Sequence, residues 1–160
     1  FKSTIEQLMA LSVIVGGLVT SFVFSLVILA SWRISPEAWL SDLTEGKIQS
    51  PKTWATYGTF AATVITIVGG AAITAGWIGS VYGANFYGRF IAAWLVIAIL
   101  NVVDVLVIDI WIYIWIYPSW MRVEGIEPLH QPWAHIKAGF VGLGIGVPMA
   151  AIAAGLTLLI

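Results

Sequence analysis

Three polar side chains interrupt an apolar run from Phe90 to Pro118: Asn101, Asp104 and Asp109. An ionised carboxylate at the centre of a bilayer costs roughly 2.5–3.5 kcal/mol on insertion scales, so two on one helix call for a purpose. They can bind a proton or a cation on a hydrated path, or they can hydrogen-bond neighbouring helices and serve packing. At about 100° per residue the three residues share a polar arc of about 140°, with Asn101 between the two acids, and Ile, Val and Leu cover the rest. The arc is expected to face the interior of a helix bundle. Asp109 lies about 7–8 Å beyond Asp104 along the axis, so a dyad sharing one proton is not expected.

A second group follows the apolar run. Glu127-Pro-Leu-His130 has the Glu-x-x-His spacing of di-iron helices, but in one copy and with a proline inside it. With Asp109 and His135 these residues form a conceivable set for Zn, Fe or Mn. No dense ligand motif supports it, and the plainer reading is an interfacial loop with solvated Glu and His; no cofactor is expected. His135 falls about one turn inside the last helix, at the same end as Asp109. An α-helical rise separates the two by roughly 8–10 Å in depth, which suits a water-linked path rather than a direct bond. Arg89 stands at the start of the third span, about 22 Å from Asp104, and is expected to snorkel to lipid phosphate.

The elements that must carry these residues are long and apolar. Of 160 residues, 60% are hydrophobic and 9% charged, which excludes a water-soluble domain of this size. The expected fold is all-α, one integral membrane domain over residues 1–160 with four transmembrane helices at about 5–32, 52–79, 90–117 and 133–160. Ser35-Pro36-Glu37 predicts a short interfacial helix between the first two, with Trp39, Leu40 and Leu43 on one side. Ser50-Pro51 predicts the start of the second span, and Pro132 that of the fourth. A net charge of −1 argues against nucleic acid as a partner, and the absence of cysteine removes disulfides, thiolate metal sites and cysteine nucleophiles. The chain opens on Phe1 rather than Met, so an N-terminal piece is expected to precede it.

Small residues recur at helical spacing: Gly17, Ser21 and Ser25 in the first span, and Ala138, Gly142, Gly146, Ala150 and Ala154 in the fourth. Such faces let helices approach closely. The second span is rich in Gly and Ala, and its Thr59, Thr63, Thr66 and Thr74 are expected to bond their own i−4 carbonyls. Pro148 is a candidate kink. No convincing internal repeat is present.

The spacing Asn101-x-x-Asp104-x-x-x-x-Asp109, then Pro118, Gly125-x-Glu127 and His135-x-x-x-Gly139, resembles a pattern in uncharacterised bacterial four-helix membrane proteins. Gly88-Arg89 also resembles a pair ahead of their third helix. The likeness covers roughly the second half of the chain. It departs at Ile110, where the pattern has Trp, and at Glu124, where it has Pro. The resemblance implies that Asn101, Asp104, Asp109 and His135 form one unit, and it implies no activity.

Three functions compete. The first is an accessory or structural subunit of a membrane complex; across the three, the expected partners are the bilayer and other membrane subunits or further copies of the chain. The second is a proton- or cation-linked transport module using Asp104 and Asp109. The third is an intramembrane enzyme or metal site near Asp109, Glu127 and His135. The first and third connections carry Arg33, Lys47, Lys52, Arg122 and Lys137, which predicts that both face the cytoplasm of a bacterial inner membrane.

Overall fold

The computed structural model describes residues 2–44, 47–126 and 131–159, the side chains of Lys2, Asp42 and Leu43 excepted. Four helices are long and apolar enough to cross a membrane. They are α1 (Lys2–Ile34), α3 (Trp54–Tyr82), α4 (Phe86–Val103) with its continuation Asp104–Ile116, and α5 (Pro132–Leu156). Between α1 and α3 lie a 3₁₀ turn (Pro36–Trp39) and a single turn, α2 (Leu40–Leu43).

The helix ends show which local signals prevail. Thr53, not Ser50, caps α3, its hydroxyl accepting from the Thr56 N–H at 3.2 Å. Gly83 ends the helix in the left-handed region at φ 67°. Asn85 caps α4 by accepting from the Gly88 N–H at 3.0 Å, so this helix starts four residues earlier than expected. The three-residue turn between Tyr82 and Phe86 makes α3 and α4 antiparallel neighbours. Ser35 does not cap the 3₁₀ turn; its hydroxyl donates instead to Glu37 Oε1 at 2.6 Å. The turn is pinned to the bundle by Trp39, stacked on Trp32 with centroids 5.6 Å apart and planes 6° from parallel.

In the bundle, α3 and α4 each touch all three other long helices, with α1 and α5 on opposite flanks. The core has two halves. Towards the α3–α4 turn it is built from small residues, Ala71, Ala75, Ala92, Ala93, Ala150 and Ala153, with Val96 and Ile97. Towards the longer connections it is built from Phe24, Ile28, Trp32, Leu100, Ile108 and Tyr113, closed by the fully buried Met121. Leu18, Phe22, Phe60, Ile65 and Ile73 point outward from α1 and α3, as a lipid-facing surface requires.

Glycines set the close approaches. A Cβ at Gly16 would strike Thr74, and one at Gly70 would strike Thr20. The contact is reciprocal: each helix offers Gly-x-x-x-Thr, and each threonine fills the other helix's glycine notch. Each hydroxyl donates within its own helix, Thr20 to the Gly16 carbonyl at 2.7 Å and Thr74 to the Gly70 carbonyl at 3.1 Å. Thr63 and Thr66 likewise bond their i−4 carbonyls, as expected.

Arg89 departs from expectation. Its Nε donates to the Ala84 carbonyl at 3.0 Å. Its Nη1 donates to the carbonyl and hydroxyl of Thr157, at 2.6 and 3.0 Å. The guanidinium fills the space a side chain at Gly79 would need. It therefore ties α3, α4 and the end of α5 together rather than reaching for lipid, and it places a cation where the α5 dipole is negative.

Candidate functional site: the polar seam between α4 and α5

The seam is a ladder of contacts between antiparallel helices. A Cβ at Gly146 would strike Ile97, one at Gly142 would strike the Asn101 amide, and one at Gly139 would strike Val105. The last rung is a polar contact, with His135 Nδ1 and Asp109 Oδ2 3.3 Å apart. The rungs on the α4 side are residues 97, 101, 105 and 109, four apart each time. In an α-helix each four-residue step drifts about 40°, and three steps would carry Asp109 about 120° off the line begun at Ile97.

The winding removes that drift. From Asp104 to Ile116 the helix is a π-helix, whose last bond runs from the Tyr117 N–H to the Ile112 carbonyl at 2.8 Å. A hydrogen bond closed over five residues means roughly 80° per residue, so four-residue steps now turn backwards and restore the line. The change begins at Asp104, whose N–H is shared by the Leu100 and Asn101 carbonyls. It ends at Tyr117, a non-glycine residue held at φ 39°.

The expected depth gap between Asp109 and His135 is therefore wrong. A π-helix rises less per residue than an α-helix, and the wider turn swings the carboxylate onto α5. His135 sits in the first turn of α5, after Pro132, where Gln131 provides no side-chain cap. The side chains are 15% exposed at His135 and 25% at Asp109, so the pair is screened from lipid without being sealed.

Aromatic rings wall the pair. Tyr113 meets His135 edge-on with centroids 5.3 Å apart, Tyr117 meets Tyr113 edge-on at 5.6 Å, and Trp32 lies 6.1 Å from Tyr113. Arg122 stands 5.5 Å above the Tyr117 ring. Burial raises the Tyr117 phenol above its ordinary value of 10.0, with Arg122 opposing. Sequence reasoning did not single out Tyr113 or Trp32 for this wall, because Trp111, Tyr113, Trp115 and Tyr117 alternate along the run and α-helical winding would spread them over both sides.

Asn101 takes the packing role, its amide filling the notches at Gly139 and Gly142. Asp104 is half-buried at the start of the π-helix, one wide turn from Asp109. Glu127 and His130 lie outside the described residues. Among the described residues no three His, Asp or Glu side chains gather as a metal site would need. On the outer side of the seam runs an apolar groove of about 240 Å³, between Val102, Val105 and Leu106 on one bank and Ile136, Gly139 and Phe140 on the other.

A carboxylate on an imidazole nitrogen fixes the ring's orientation, so Asp109 holds His135 against Tyr113 at the first turn of α5. No protein-family model, curated protein or solved structure matches this chain.

Proposed function

We propose that this chain is a non-catalytic subunit of a membrane assembly, an accessory or structural module. The observation that carries the reading is the division of its glycines. Those at 16, 17, 70, 79, 139, 142 and 146 are consumed by the bundle's own packing. Gly58 and Gly69 on α3, and Gly144 and Gly155 on α5, face open space within 4 Å. Notches of this kind let a further helix come close, where lipid alone would be filled as well by larger side chains. The polar seam supports the same reading, because Asn101 and Asp109 are turned onto α5.

Native mass spectrometry of the protein released from its own membranes tests the proposal, with metal analysis on the same sample. A mass that includes other membrane polypeptides is expected; a chain found only alone or with copies of itself overturns it.

A second reading, a proton- or cation-linked module using Asp104 and Asp109, draws support from the partial exposure of the Asp109–His135 pair. Against it, Ala93, Val96, Ala150, Ala153 and Ala154 are fully buried between the seam and the other end of the bundle. In liposomes, loss of pH-dependent flux in Asp104→Asn would favour this module.

A further inference from the structure

We propose that Asp109 and His135 form a clasp that sets the winding of residues 104–116, and that opening it lets this segment rewind into an α-helix. Rewinding would put Tyr113 at the lipid surface in place of Trp111. The proposal does not depend on the assembly proposed above.

Helical geometry carries the argument. Were α4 continued in α-helical winding, Trp111 would fall about 20° from the buried Leu100, and Tyr113 about 220° from it. Trp111 would then point inward and Tyr113 towards lipid. The structure has the reverse: Tyr113 is 4% exposed and Trp111 is 53% exposed. The outward positions Val102, Leu106, Trp111 and Trp115, with Ile116 beside the last, step by four, five and four residues, the period of the wider winding.

Runs of π-helix longer than one turn are rare, and the α form is the default for a chain of this composition. Something must therefore hold 104–116 in its present form. The contacts that act on it from outside include the Asp109–His135 contact at 3.3 Å, the seat of Tyr113 among Trp32 and His135, and Val105 against Gly139. The first two meet at His135. Losing the pair removes the reason for Asp109 to face α5, and the ring wall loses its anchor with it.

The exit of the segment is already fitted to one winding. Tyr117 takes a left-handed conformation as the helix gives way to Pro118.

The chain has no cysteine, so single cysteines can be placed from 102 to 116, positions 109 and 113 excepted, and spin-labelled without background. Collisional relaxation by oxygen in liposomes reads the lipid-facing period directly. In the parent chain, maxima are expected at 102, 106, 111 and 115. In Asp109→Asn the maxima should fall back to a 3.6-residue period, with position 111 becoming shielded. A 3.6-residue period in the parent chain, or an unchanged pattern in Asp109→Asn, overturns the proposal. Should that variant not insert, His135→Gln provides the same comparison. The exchanged pair Asp109→His with His135→Asp should restore the parent pattern.

Discussion

The Asn101 amide occupies the notch left by Gly142 on the facing helix. A methyl group at Gly142 would overlap the amide nitrogen, and overpacking of this kind costs about 1–3 kcal/mol. Gly142→Ala is therefore expected to lower unfolding stability in detergent by that amount. Adding Asn101→Ala should return part of the loss, because the notch is then filled from one side only. A double-mutant cycle by thermal unfolding reads the coupling.

Adjacent glycines on α3 give opposite signs. Gly69 has nothing within 4 Å of a Cβ, whereas a Cβ at Gly70 would strike Thr20. Alanine is the better helix former by about 1 kcal/mol, so Gly69→Ala should be neutral or stabilising. Gly70→Ala should be destabilising by about 1–3 kcal/mol, since Thr20 must give way. Paired melting curves test the contrast, and equal shifts for both would refute the reciprocal Gly-Thr contact.

Arg89 should behave as a tie between helices rather than as a lipid anchor. Its Nε–H and Nη1–H groups serve the Ala84 carbonyl and the end of α5 at Thr157. Arg89→Ala is expected to cost about 1–3 kcal/mol, in line with hydrogen bonds to a charged group. It should also speed hydrogen exchange at residues 154–158. Arg89→Lys should recover only part, because one ammonium cannot reproduce the fork. An anchor role would instead leave exchange at the end of α5 unaltered.

Glu37 links the first connection to acid pH. The Ser35 hydroxyl, and then its own backbone N–H, hold its carboxyl below the ordinary value of 4.5. A folded-state value below the unfolded one means the contact stabilises above the unfolded value and is lost as pH falls through the folded one. Ser35→Ala should move the Glu37 carboxyl resonance midpoint upward in an NMR titration, with a small effect on overall stability because the group meets solvent.

The four spans were legible because hydrophobic length reports directly on the bilayer, and Asn101, Asp104 and Asp109 stand out against it. The seam's partner helix was legible only as a row of small residues. Its exact rungs depend on winding, and the run Asp104–Ile116 carries no residue type that announces a π-helix. Assuming α-helical rise then misplaced Asp109 relative to His135. Arg89 was misread for another reason: its partner Thr157 is 68 residues away, and nothing local hints at it.

The two halves of the core differ in how they can yield. Alanine and glycine have no side-chain torsions to rearrange, so helices meeting through Ala71, Ala75, Ala93, Ala150 and Ala153 can shift only as whole rods against one another. The opposite half, filled by Trp32, Ile108, Tyr113 and Met121, has torsional freedom in its filling. Side-chain rearrangement is thus concentrated in the half where the aromatic rings lie, while Arg89 adds a further tie to the half built of small residues.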